Sequence, residues 1–341
     1  MIIKDLNGIK YTANHSIFYV KNTCSRGRCV ASYMGHTCHA EPFHPEGEAH
    51  YGRFFMQYSK PALTFDDQIS LLQSRGLVIS DPAFAKAVLS RISYYRLSAY
   101  YRPFWESRDV FKPGTTFEQI VYLYEFDRKL RLVVMDGIER IEVALRTSIT
   151  YAISFSTGPF GHVNHSSFTV ELDHAKFIQQ VREEEERCRE TFVEHYRTKY
   201  TSQEHLPIWI ASELLPFGTM SKLFRCMTKG LNYSIANNDF GMPYKVLASW
   251  LHTLTVVRNM CAHHRRLWNR ELPVRPIGLP NGISQKRLFG VLTLMAILLD
   301  RISPGCGWKQ SVLKLKIDHP AIDFNYMHAP DGWEKTKGWS V

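Results

Sequence analysis

The sequence predicts an all-α fold, and three observations carry that reading. Apolar residues recur at helical spacing through most of the chain after residue 56. Capping residues stand at the starts of those stripes. No convincing strand pattern and no repeat period appears anywhere. Hydrophobic residues make up 45% and charged residues 22% of the 341 positions, ample for a helical core. The length allows one large domain or two modest ones.

The elements follow in order. Residues 1–55 hold three of the seven cysteines and five of the fifteen histidines. They show no sustained period and little apolar content after Val20, so they are expected to be either a flexible appendage or sequence upstream of a natural start at Met56. Helical order begins with "MQYSKPALTFDDQISLLQSRGL": Thr64 is an N-cap, Ile69, Leu71 and Leu72 are apolar positions, and Gly76 is a stop. Asp81 before Pro82 is a cap followed by a first-turn proline. "SYYRLSAYYRPFW" (93–105) is rich in aromatic residues and broken at Pro103.

"TFEQ" (116–119) is a capping box, Thr116 with Gln119. It opens a long helix to about Ser154, striped by Ile120, Leu123, Leu130, Val134, Ile138, Ile141, Leu145 and Ile149. Residues 157–172 read as a loop. "AKFIQQVREEEERCRETFVEHYRTKY" reads as one polar helix, with Glu183 to Glu186 as a solvated face. Helices are expected on either side of Pro216 within 206–224, over 243–268, over 284–301 and over 307–316.

The charge balance is basic: 42 Lys and Arg against 32 Asp and Glu, a net +10. Such an excess suits an anionic partner, nucleic acid first. Seven cysteines are too few and too scattered for a disulfide framework, which points to a reducing, cytoplasmic setting. No secretory signal pattern opens the chain. The longest apolar run, Phe289 to Leu299, falls far short of the roughly 20 residues of a membrane span.

One stretch carries chemistry: "VVRNMCAHHRRLWNR", residues 256–270. On a helix, Leu251, Leu254, Val257 and Cys261 form the core-facing stripe. Asn259 and His263 are then neighbours on one face, where an amide orients an imidazole. Arg258 lies five residues before His263, roughly 140° around the axis, so a second subunit is one way to complete the site. Histidine moves protons near neutral pH, and arginine stabilises a phosphate gathering charge. On RNA the 2′-hydroxyl is the nucleophile already present, and the expected products are a 2′,3′-cyclic phosphate and a free 5′-hydroxyl. The plainer reading is that His264, Arg265 and Arg266 complement the dipole at a helix C-terminus. Spacing alone does not decide between them.

The longer blocks add to this. "KPALTFDDQISLLQSRGLVISD", "YYRLSAYYRPF", "YEFDRKLRLVVMDGIERIEVALRT", "LPIWIASELLPFGTMSKLF", "VRNMCAHHRRLWNR" and "HPAIDFNYMHAPDGWE" occur in that order. Together the chain resembles the Abi-like family of bacterial abortive-infection proteins, of AbiD/AbiF type, within the HEPN superfamily. The resemblance covers nearly everything from Met56 onward. It implies a HEPN-type helical bundle with additional N- and C-terminal helices, and Arg258, Asn259 and His263 as the catalytic motif. It also implies RNA as substrate, no metal or other cofactor, and a site completed by a homodimer or higher oligomer. A small structured regulatory RNA is a further partner it suggests. The boundaries read as a leader over 1–55, an N-terminal helical region over 56–112, a core over 113–275 and a C-terminal extension over 276–341.

Other residues are weighed beside the motif. Cys24, Cys29, His36, Cys38, His39 and His44 suggest zinc, but hold no tight Cys-x-x-Cys pair, so no metal is expected. Glu213 is either a supporting carboxylate or a helix-face partner for a base. Asp127, Arg128, Glu139, Arg140 and Arg146 read as ion pairs within the bundle. Tyr94, Tyr95, Arg96, Tyr100 and Tyr101 either stack unpaired bases or pack the core, with Tyr95, Arg96 and Arg265 the candidate RNA contacts. Supporting roles are assigned to His264, Glu213, Arg266, Asn269 and Arg270, and Trp268 is read as locking the end of the motif helix. The first function class is a metal-independent endoribonuclease of phage defence. The alternatives are a non-catalytic RNA-binding or sensing module, and a partner-regulated interaction subunit.

Overall fold

The computed structural model describes residues 22–25, 28–33, 36–39, 59–336 and 338–339. The chain divides into two units, residues 1–64 and 65–341. In the first, β1 (Asn22–Ser25), β2 (Arg28–Tyr33) and β3 (His36–His39) form an antiparallel sheet in that order. Its register sets Cys24 opposite Cys29 and Ala31 opposite Cys38. This corrects the expectation of an irregular stretch without strands. Strands this short and this polar lack the apolar alternation that marks a half-buried sheet. The side chains of the zinc candidates Cys24 to His44 lie outside the described residues.

The second unit is all-α, as the periodicity indicated. It opens with α1 (Phe65–Ser74), α2 (Pro82–Ile92) and α3 (Tyr94–Ser98). Asp81 caps α2 by accepting the Phe84 N–H at 2.9 Å, with Pro82 in the first turn. A hairpin of β4 (Trp105–Ser107) and β5 (Val110–Phe111) follows; it too was not expected, because two- and three-residue strands are below the length at which alternation is readable.

The axis of the unit is α4 (Phe117–Thr157), 41 residues and about 60 Å long. Its capping box is formed as read: Thr116 accepts the Gln119 N–H at 3.3 Å and Gln119 accepts the Thr116 N–H at 3.1 Å. The whole predicted stripe from Ile120 to Ile149 is buried. Against it pack α7 (Ile208–Leu214), α8 (Phe217–Cys226), α10 (Tyr244–Ala262), α11 (Leu288–Ile302) and α12 (Trp308–Asp318). Gly137 is what allows α11 and α12 so close. A β-carbon there would lie 2.6 Å from both Met295 Cε and Trp308 Nε1, and the Trp308 indole donates to the Val133 carbonyl at 2.7 Å.

The polar segment read as one helix is two, α5 (His174–Arg187) and α6 (Thr191–Lys199). The chain becomes extended at Cys188, ψ 138°, and Arg197 of α6 pairs with Glu185 of α5. Pro216 separates α7 from α8 as expected. A short α9 (Lys229–Ser234) and a π-helical turn (Ile235–Asp239) lead into α10. Among the described residues, no helix is long and apolar enough to cross a membrane.

Candidate functional site

The motif sits where α10 ends, and that end is defined by backbone chemistry. The Arg265 N–H reaches back to the Met260 carbonyl at 2.8 Å and the His264 N–H to the Cys261 carbonyl at 2.9 Å. This pair of bonds is a Schellman motif, and it needs a left-handed residue after the cap. Glycine is usual there, yet His264 holds it, at φ 54°. The helix thus stops at Ala262, earlier than the expected 268, and His263 is the cap residue. His263, His264 and Arg265 are all exposed.

Arg258 lies one turn further in and is half-buried. Its Nε is fully buried and has no hydrogen-bond partner among the described residues. Asn259 is exposed. The backbone N–H of His263 bonds the Asn259 carbonyl at 3.0 Å, but no hydrogen bond joins the Asn259 amide to the His263 ring among the described residues. The geometry therefore gives Asn259 no hold on the ring in this chain alone.

What fixes the motif's end is a buried carboxylate on α4. Asp127 has no solvent exposure. It accepts the backbone N–H of Trp268 at 2.7 Å, that of Leu267 at 3.1 Å, and the Tyr100 hydroxyl at 2.7 Å. Arg131, one helical turn along α4, pairs with the same carboxylate. Burial raises the Asp127 pKa above the usual carboxylate range, against the pull of Arg131 and of the Trp268, Tyr100 and Leu267 donors. The Tyr100 hydroxyl is raised by burial and by Asp127, and burial pushes the Cys261 thiol up to about 12. Asp127 was expected to make an ion pair, and it does. The sequence reading missed that its main work is to hold the chain just after the motif. A signal was present: a carboxylate between Leu123 and Leu130 on the apolar face of α4, with Arg131 one turn on.

The α2–α3 corner grips the same turn from outside. Arg96 donates to the His264 carbonyl at 3.0 Å, and Arg266 donates to the Ala99 carbonyl. Two arginines read as RNA-contacting or supporting are thereby tethered to backbone. Burial pulls the Arg266 guanidinium below its usual value; Tyr100 and Asp127 oppose this, and the like charges of Arg270 and Arg102 add to it. Asn269, left-handed at φ 48°, accepts from Arg287 at 3.3 Å. Trp268, six residues beyond the end of α10 at Ala262, is buried and packs its ring 4.9 Å from Tyr326.

The aromatic block divides sharply. Tyr100 and Tyr101 are buried, and Tyr94 accepts from Arg75 at 2.7 Å. Tyr95 is 89% exposed.

Glu213 is exposed on α7 and lies in another place. It lines a groove of about 540 Å³ with Arg146, Thr150, Tyr151, Phe155 and Trp209, and none of Arg258, Asn259 and His263 lines that groove. Arg146 braces the break at Pro216, donating to the Leu215 carbonyl at 2.6 Å and to the Ser212 carbonyl while pairing with Glu142. Beyond the break, α8 abuts the motif helix: a β-carbon at Gly218 would lie 3.2 Å from Thr255 Cγ2. Of the other expected ion pairs, Arg128 meets Glu125 and Arg140 meets Asp136. No cluster of three or more His, Cys, Asp or Glu that would hold a metal occurs among the described residues.

The family model for Abi-like proteins matches residues 87–269, from α2 through the turn after the motif. No curated protein and no solved structure matches the chain.

Proposed function

We propose, for a chain that belongs to the Abi-like protein family, that it is a cytoplasmic phage-defence factor acting as a metal-independent endoribonuclease of HEPN type. The observation that carries this reading is the end of α10. His263 is exposed, and the half-buried Arg258 has an Nε with no hydrogen-bond partner among the described residues. Several neighbouring basic groups are absorbed by structure, as Arg96, Arg131 and Arg266 show. Arg258 and His263, with the exposed His264 and Arg265 beside them, are not tied down in this way, and they are the pair we assign to phosphate chemistry.

The step they suit is internal transesterification of RNA. His263 removes the proton of the 2′-hydroxyl as its oxygen attacks the adjacent phosphorus. The bond from phosphorus to the 5′-oxygen breaks, that oxygen takes up a proton from water, and the His263 imidazolium returns its proton to solvent. The products are a 2′,3′-cyclic phosphate and a 5′-hydroxyl. Arg258 faces the phosphate oxygens, where charge grows in the transition state. The reading includes a homodimer that completes the site, and RNA as the substrate favoured by the net charge of +10.

The test is RNA cleavage by the purified full chain in EDTA, with analysis of the new ends. Arg258→Ala and His263→Ala serve as controls, each expected to lose about 10²–10⁴ in rate without loss of fold. Cleavage at wild-type rates by either variant refutes the assignment. RNA binding without cleavage at any concentration favours the sensing module instead.

A further inference from the structure

We infer that the corner between α2–α3 and the end of α10 binds single-stranded RNA, with Tyr95 as the platform on which one unpaired base stacks. The inference rests on the reading of Arg258 and His263 as acting on RNA, and adds the form of RNA and the residue that selects it.

Three independent features meet at this corner. The first is the exposure of Tyr95. Its ring is 89% exposed, whereas Tyr100 and Tyr101 from the same block are 2% and 1% exposed. An aromatic side chain left this open on a well-packed domain has no role in the core. The second is position. Tyr95 precedes Arg96, and Arg96 holds the His264 carbonyl at 3.0 Å, so the platform stands one residue from a direct bond to the motif turn. The third is charge. Arg102 and Arg270 lie close enough to Arg266 for their like charges to depress it, and His263, His264 and Arg265 are exposed beside them. Of the nearby carboxylates, Asp127 is buried and Glu271, next to Arg270, pairs with Arg275 at 4.0 Å.

The backbone on both sides of the contact is held out of the common conformations. Ser93, which begins α3, has φ 67°, and His264 has φ 54°. Neither is glycine, so each is a strained position that the surrounding contacts maintain. The Ser93 turn, whose hydroxyl accepts the Arg96 N–H at 3.3 Å, fixes the start of the helix that carries both Tyr95 and Arg96.

This chemistry favours single strands. Every base has a flat face that stacks on an aromatic ring, and cationic side chains follow the backbone. In duplex RNA the bases are already stacked, and a protein reads shape and phosphates instead.

The experiment measures binding of a short fluorescent single-stranded RNA and of a duplex of equal length to the full chain at low salt. Cleavage is suppressed by replacing the attacking 2′-hydroxyls with 2′-O-methyl groups. Tyr95→Ala should weaken single-strand binding about tenfold, Tyr95→Trp should restore it, and duplex binding should change little in either. Equal single-strand affinity in wild type and Tyr95→Ala overturns the inference. So do an equal loss on duplex and failure of the single strand to bind at all. Because binding is read without cleavage, a chain that binds in the expected pattern but never cuts RNA refutes the ribonuclease reading and leaves this one standing.

Discussion

The Asp127 carboxylate on α4 accepts the backbone N–H of Trp268 at 2.7 Å across 141 residues of chain. Through this bond and its neighbour at Leu267, the turn after the motif is fastened to the central helix. Asp127→Ala should be among the most destabilising single changes in the chain. It leaves the Arg131 charge in the interior without its carboxylate, with only the Tyr100 oxygen at 3.4 Å as a partner, and orphans the Tyr100 O–H donor and two backbone N–H groups. Breaking a buried pair in this way costs about 3–5 kcal/mol. Urea unfolding should show that loss, with Asp127→Asn milder because its amide oxygen still accepts the two backbone donors. An Asp127→Ala chain as stable as the wild type would mean that this carboxylate does not fasten the turn.

Most of the helical frame was legible because its elements are long and regularly striped. The stripe from Ile120 to Ile149, the Thr116–Gln119 box and the break at Pro216 all lie where local rules put them. What was not legible depends on distant or very short pieces. The three-stranded sheet of residues 22–39 and the hairpin at Trp105–Phe111 are too short to show a period. The end of α10 was placed too late because its stop is a histidine in a glycine conformation. The candidate motif was visible as a string of residues, but its support was not. Asp127, Tyr100 and Arg96 reach it from blocks that only the tertiary fold brings together.

His264 pays a conformational penalty at the Schellman position. A non-glycine residue in the left-handed region costs about 1–2 kcal/mol, offset in part by the greater freedom of glycine in the unfolded chain. His264→Gly should therefore stabilise the protein by about 0.5–1 kcal/mol, seen as a higher Tm. If the imidazole has no chemical role, RNA cleavage survives the change. A gain in Tm with loss of cleavage would make His264 part of the chemistry. A lower Tm would show that the imidazole makes stabilising contacts worth more than the backbone penalty.

His162 makes the fold sensitive to acid. Its ring is 1% exposed and its Nδ1 has no hydrogen-bond partner among the described residues. Burial first, then the neighbouring His205 and His174, lowers its pKa to about 4, against about 6.5 in an unfolded chain. Between those values the unfolded state binds more protons, so stability rises with pH there. The contribution is fully present above pH ~6.5 and is lost as pH falls toward 4, by about 2 kcal/mol between pH 7 and pH 5. Urea midpoints at the two pH values should differ accordingly, and His162→Phe should remove that part of the difference. An unchanged pH dependence in the variant would assign the effect to another group.

The last prediction concerns which chain supplies which half of the site. Arg258 and His263 are five positions apart at the end of one helix, which turns them roughly 140° from each other. No hydrogen bond links them, and Asn259 does not steer the His263 ring within this chain. A two-fold axis near the end of α10 would bring the Arg258 of one protomer toward the exposed His263 of the other, because a two-fold interface places the same patch on both sides. It would also bring like charges together, so the pairing should strengthen when an RNA phosphate lies between them, and the affinity for RNA should fall steeply with added salt. Mixing Arg258→Ala chains with His263→Ala chains separates the arrangements. If the site is shared, each mixed dimer regains one composite site with both groups intact, and cleavage returns to a substantial fraction of the wild-type rate. If each chain uses its own pair, every site in the mixture lacks one group and no activity returns. Verified heterodimers without activity would place Arg258 and His263 of the same chain on one phosphate, and a monomer that cleaves RNA would remove the axis altogether.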